Sequence, residues 1–208
     1  MDVKITATAG SRCFDVLSYN RDADISLKLR ACVEDSTNQA FLRATYYSPN
    51  KNGLQSAHML FDYQTTFKIY LDSWYRVAMT WNKNDKLLQI IAFDNADSVG
   101  LVSRFTFSGI GDENLFQPGG FISLGQWELP TRTSVAESIW INQVALWKSE
   151  LTRDEIRNNM RRVVKVSEPN LANLWKFTEG QGLMVQDVVS NNNLHMLGYG
   201  RRTPIWTL

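Results

Sequence analysis

The sequence predicts an all-β fold: a two-sheet antiparallel jelly-roll sandwich with one short α-helix near residues 152–163. Three observations predict it. Short runs rich in β-branched and aromatic residues follow one another at close spacing. Clusters of Gly, Asn, Asp and Pro separate them. The composition can fill a large core: hydrophobic residues are 44% and charged residues 21% of 208, with Trp 7, Tyr 7 and Phe 10. Sandwiches of this length commonly form one unit, so residues 1–208 are expected to make a single domain.

The elements follow in order. Residues 24–33 alternate apolar and polar side chains with period two, the pattern of a strand with one face in a core. Residues 41–47, 58–61 and 67–71 read as further strands, with a turn at 50–53. Residues 76–81 and 87–93 form a hairpin around Asn82-Lys83-Asn84-Asp85. Strands at 102–107, 120–125 and 138–147 continue the series, whose number points to a sandwich or a barrel. One helix follows. Thr152 can cap its first turn while Glu155 reaches back to the Thr152 amide. Ile156, Met160, Val163 and Val164 make its apolar stripe, and Arg157, Arg161 and Arg162 are expected to face water.

Charge and length exclude some classes. A net charge of +1 argues against the broad basic surface of nucleic-acid binding. No segment has the length of a transmembrane helix, so no membrane insertion is expected. Met1-Asp2-Val3-Lys4 lacks the basic and apolar regions of a secretory signal. No Asn-x-Ser/Thr sequon occurs, which weakens a glycosylated extracellular reading. Cys13 and Cys32 leave two states open, a disulfide or two buried free thiols.

Several stretches resemble one superfamily, the pentraxin and laminin-G-like (concanavalin A-like) domains. Trp74-Tyr75-Arg76-Val77-Ala78-Met79-Thr80-Trp81 resembles their central strand. Gly120-Phe121-Ile122-Ser123-Leu124-Gly125-Gln126 is similar to the pentraxin segment ending in Leu-Gly-Gln. Ile141-Asn142-Gln143-Val144-Ala145-Leu146-Trp147 with Leu151-Thr152-Arg153-Asp154-Glu155-Ile156 resembles their next strand and short helix. Leu174-Trp175-Lys176-Phe177, Glu179-Gly180-Gln181-Gly182, Asp187 and Pro204-Ile205-Trp206 resemble the closing strands. The resemblance covers roughly the last two thirds of the chain. It implies a jelly roll with ligands on one face or at the loops of one edge, in a superfamily of lectins, adhesion modules and recognition proteins with few enzymes. Fold resemblance is more specific than functional resemblance. It points to an extracellular or secreted placement, while the missing signal leaves cytoplasmic placement or non-classical export as alternatives.

Pentraxins hold calcium with carboxylates and amides, and the resemblance locates those positions here. Where the first acidic ligand would stand the chain has Trp127, and where a later Asp would stand it has Leu129; only Glu128 remains. A second ligand pair would fall at Gln55 and Ser56. Calcium wants several oxygens including carboxylates, so the paired calcium site is expected to be absent and no cofactor is expected. The family's half-cystine is also expected to be lost, since Ala78 stands where the partner of Cys32 would lie.

A metal-independent sugar site is expected in its place, from Trp127, Glu128, Arg132, Gln55 and Trp140, with Thr133 nearby. A flat indole stacks on the apolar face of a sugar, and carboxylate, guanidinium and amide groups pair with its hydroxyls. A packing role competes, in which Trp127 plugs a loop. Trp81, Trp147, Trp175 and Trp206 are expected to be core, and Trp74 to pack at a strand start. Trp140 lies between Ile139 and Ile141, so it is exposed if the isoleucines face the core, or else covered by the helix.

Signals for catalysis are weak. His58 and His195 fit no metal spacing, and no nucleophile elbow, phosphate loop or Cys–His signature occurs. Asp94 with Asp97 and Glu128 with Glu137 read as loop charges. Residues 179–191 are a weak calcium candidate that turn chemistry also explains. The expected function is therefore a non-enzymatic lectin that binds glycans or glycoproteins and forms a homo-oligomer. The alternative is an adhesion or assembly module without sugar binding.

Overall fold

Strand follows strand in the computed structural model, which describes residues 1–6, 13–20, 26–34, 37–49, 57–94, 100–106, 120–125, 138–160 and 164–195. In chain order they are β1 (Asp2–Thr6), β2 (Cys13–Asn20), β3 (Ser26–Val33), β4 (Gln39–Pro49), β5 (Ala57–Tyr70), β6 (Trp74–Asn82) and β7 (Leu87–Asp94). Then come β8 (Leu101–Thr106), β9 (Phe121–Leu124), β10 (Ser138–Trp147), α1 (Arg153–Met160), β11 (Leu171–Trp175), β12 (Met184–Val185) and β13 (Leu194–His195).

The result is a β-sandwich. A six-stranded sheet has the order β11-β10-β1-β6-β7-β8, and a five-stranded sheet the order β5-β4-β3-β2-β9. A small two-stranded sheet pairs β12 with β13. The pairings in the large sheets are antiparallel. Period two sends one set of side chains inward from each sheet. Val3, Ile5, Val77 and Ile90 thus meet Leu27, Leu29, Leu42 and Ile69 in one buried cluster.

Two early strands carry weak sequence signals. β1 is only five residues long. β2 carries a register shift between Asp15 and Leu17, so its burial does not alternate. Asp15 is buried there and ion-paired to Lys28 at 2.9 Å and Arg30 at 3.1 Å on the neighbouring strand. The hairpin of β6 and β7 forms as expected. Cys13 lies opposite Cys32 in the β2–β3 register, and the two form a disulfide, which settles the open alternative. Ala78, at the place of the expected lost partner, packs instead beside Ile91, Phe93 and Ile156.

The expected separate strands at 58–61 and 67–71 are one strand, β5. The polar Gln64-Thr65-Thr66 run interrupts the apolar pattern without breaking the strand. At the adjacent β4 register shift, the Leu42 amide donates to Thr65 Oγ1 at 3.1 Å, and Thr65 Oγ1 donates to the Phe67 carbonyl at 2.8 Å. The hydroxyl replaces a ladder partner that the bulge removes. β5 also closes one edge of the sandwich against β8: the Thr66 amide donates to Ser103 Oγ at 2.8 Å, and Tyr63 stacks on Phe105.

The helix starts with the expected capping box. The Thr152 amide donates to Glu155 Oε2 at 2.7 Å, and the Glu155 amide donates to Thr152 Oγ1 at 3.3 Å. Ile156 packs on Ile91 and Phe93, on the outer face of the six-stranded sheet. Arg157 pairs with Asp154 at 2.8 Å. The Met160 side chain and residues 161–163 lie outside the described residues. Gly100, with φ of +65°, approaches Phe93 so closely that an added Cβ would fall 2.2 Å from the ring. Its carbonyl accepts from Arg153 Nη2 at 2.9 Å, tying the helix to the start of β8.

Candidate functional site

The short strand β1 sits between β10 and β6, and this places three outward side chains in one row. Lys4 is registered opposite Trp140 on β10 and opposite Trp74 on β6. Val3 and Ile5 are drawn into the core, so Lys4 must point out, and the same parity turns Ile139 and Ile141 inward and Trp140 outward. The Lys4 Nζ lies 5.0 Å from the Trp140 ring centroid and 5.6 Å from that of Trp74. A cation at these distances is held by the ring quadrupoles. All three side chains are half-buried, leaving part of each indole to solvent. Among the described residues no carboxylate pairs with Lys4.

One step along the same face, the Arg76 guanidinium clasps both oxygens of Asp2, with Nη2 2.6 Å from Oδ2. It also donates through Nη1 to the Asn159 carbonyl of α1. The fork fixes β1 against β6 and places the charge of Asp2 on Arg76. The row therefore offers two partly open apolar rings and one ammonium whose charge no described acid neutralises. Such a set can stack on a flat apolar surface and attract an anionic group.

Of the five residues expected to bind sugar, Trp140 falls in this row. Trp127, Glu128, Arg132 and Gln55 lie outside the described residues, as do Thr133, Leu129 and Ser56. Trp140 is half-buried, and the described helix packing involves Ile91 and Phe93 instead. Trp74 and Lys4 carry no binding signal taken one at a time. The signal for them is their cross-strand register, which no local pattern carries. Trp175 is core, and its Nε1 donates to the Asn192 carbonyl at 2.8 Å. Trp81 and Trp147 are half-buried against apolar clusters, while Trp206 lies outside the described residues.

The calcium candidate at 179–191 resolves into hydrogen bonds. Asp187 is fully buried, and it accepts from the Leu174 and Val189 amides at 3.0 Å each. Asn173 Nδ2 at 2.7 Å, Ser190 Oγ at 2.5 Å and the Asn192 amide at 3.3 Å complete the set. Burial raises its carboxyl pKa, but these donors outweigh burial and hold it far below the ordinary value. Its lone pairs thus face protons. Among the described residues, no three His, Cys, Asp or Glu side chains converge as a metal site. Among the described residues no helix is long and apolar enough to cross a membrane. No family model matches the chain, and no curated protein matches it in sequence.

Proposed function

We propose that the protein is a glycan-binding module that works without a metal, without catalysis, and with a preference for acidic sugars. The observation that carries this reading is the Trp74–Lys4–Trp140 row. Indole rings pack against the apolar C–H face of a pyranose, and an ammonium between them meets a carboxylate or sulfate. The β-sandwich supplies a rigid three-strand platform for the row. Single sugar sites are weak, so a homo-oligomeric lectin would gain by multivalency. The jelly-roll strand path and the pentraxin or laminin-G-like kinship belong to the same proposal, as does an extracellular or secreted placement.

A glycan array probed with the protein, with and without chelator, tests this reading. Acidic glycans are expected to bind equally in both conditions. Trp140→Ala and Lys4→Gln are each expected to weaken binding about tenfold, the equivalent of about 1.4 kcal/mol. Loss of binding in chelator, or unchanged binding in both variants, overturns it.

An assembly module is the second reading. It is favoured by the exposed Leu183, Met184 and Val188 of the closing segment, since exposed apolar side chains close together mark interfaces. Sedimentation tests it: a monomer at all concentrations removes the assembly reading.

A further inference from the structure

The β12–β13 pair turns its two positions to opposite sides. Val185, registered opposite Leu194, is buried in the cluster with Val144 and Trp175. Met184, registered opposite His195, faces the other way by period two and is 47% exposed. Its thioether is engaged there. Asn193 Nδ2 donates to Met184 Sδ at 3.6 Å, the longer contact that a sulfur acceptor requires. The same Asn193 side chain accepts the Asp187 amide through Oδ1 at 3.0 Å. One carboxamide therefore links an exposed sulfur to Asp187, which is fully buried and ties β11 to the turn at 187–192.

A divalent sulfur carries two lone pairs. One of them accepts from Asn193 Nδ2, so the carboxamide shields that side of the sulfur. The other is left to an oxidant arriving from solvent. With hydrogen peroxide the balance is simple. The lone pair attacks one peroxide oxygen, the S–O bond forms and the O–O bond breaks. The departing hydroxide takes the proton of the transferred oxygen and leaves as water. Sulfur loses two electrons and peroxide gains them, and the apolar side chain becomes a polar, chiral sulfoxide. Met79 offers an internal comparison, because it is only partly exposed and packs against the main core cluster.

We propose that Met184 is a peroxide-modification site, oxidised mainly to one sulfoxide epimer, and that its oxidation frees the Asp187 amide through Asn193. The epimer preference follows from the shielding, since only one side of the sulfur is open. The release follows from the change of acceptor. In the sulfoxide the oxygen accepts hydrogen bonds and the sulfur does not, and that oxygen sits on the side away from Asn193. Nδ2 therefore loses its partner at Sδ, and the carboxamide turns toward the new oxygen or toward water. Either move withdraws Oδ1 from the Asp187 amide. The Asp187 carboxylate keeps its donors from Leu174, Val189 and Asn173, so the effect stays local and the fold survives. The site is separate from the indole row and stands or falls without it.

The test treats the 208-residue chain with hydrogen peroxide and maps the products by mass spectrometry. The two methionine sulfoxide reductases, each specific for one epimer, then report the epimer ratio. Met184 is expected to oxidise about fivefold faster than Met79, with one epimer in about threefold excess. Amide hydrogen exchange at Asp187 is expected to speed up about fivefold in the oxidised protein, with exchange at Ile90 in the core unchanged. Met184→Leu keeps an apolar side chain at the surface and is expected to abolish the response of the Asp187 amide to peroxide. Asn193→Ala removes the shield and is expected to bring the two epimers to equal amounts. Oxidation of Met184 no faster than Met79, equal epimers in the parent, or unchanged Asp187 exchange after oxidation overturns the proposal. So does an epimer preference that survives in Asn193→Ala, or a peroxide response of the Asp187 amide that survives in Met184→Leu.

Discussion

Asp187 illustrates how much one side chain can organise. Burial alone would favour its neutral form, yet five protein donors converge on its two oxygens and keep it ionised. It joins the end of β11 to the turn at 187–192, and the isolated bridge between Trp175 and Asp187 depends on it. Asp187→Asn would turn an amide N–H toward other donors. The expected cost is about 3 kcal/mol, read from denaturant unfolding. The pH sign follows from a lowered carboxyl pKa. Its contribution is full above the ordinary value of 3.8 and is lost as pH falls toward the lower folded value. Below pH 4 the Asn variant is therefore expected to lose less further stability than the parent.

Among the elements, α1 is the most legible, β5 is legible only in two pieces, and β1 is not legible at all. The helix announced itself through Thr152 and Glu155, because a capping box is a local hydrogen-bond pattern three residues apart. Thr152→Ala is expected to cost about 1 kcal/mol in unfolding free energy, with Glu155→Gln retaining part of the cap. An unchanged midpoint for Thr152→Ala would show that packing of Ile156 alone holds the helix. The polar Gln64-Thr65-Thr66 run predicts a break between two strands, yet Thr65 there serves the Leu42 amide at a bulge in another strand. β1 gives little local signal for a related reason. Five residues make a weak periodic signal, and it becomes a central strand only because β10 and β6 both pair with it.

The Cys13–Cys32 bond joins neighbouring strands 19 residues apart in sequence. Closing a loop of that length restricts the unfolded chain by about 3 kcal/mol. Reduction, or Cys13→Ser with Cys32→Ser, is expected to lower the melting temperature by about 6–12 °C. A shift below 2 °C would mean that the β2–β3 ladder is held by packing and ion pairs alone. At the other sheet edge, Thr66 with Ser103 and Tyr63 on Phe105 bring β5 to β8, so the sandwich is tied by contacts between residues about 40 positions apart.

Period-two alternation, turn residues and the capping box were enough to establish an all-β class, the β6–β7 hairpin and the helix start, because each is a regularity over a few neighbouring residues. Strand order, the disulfide and the Trp74–Lys4–Trp140 row needed the folded chain. Lys4, Trp74 and Trp140 are brought together across 136 positions only by the register of β1 between β6 and β10. Period two fixes facing but not neighbours, so it carries no information about that register.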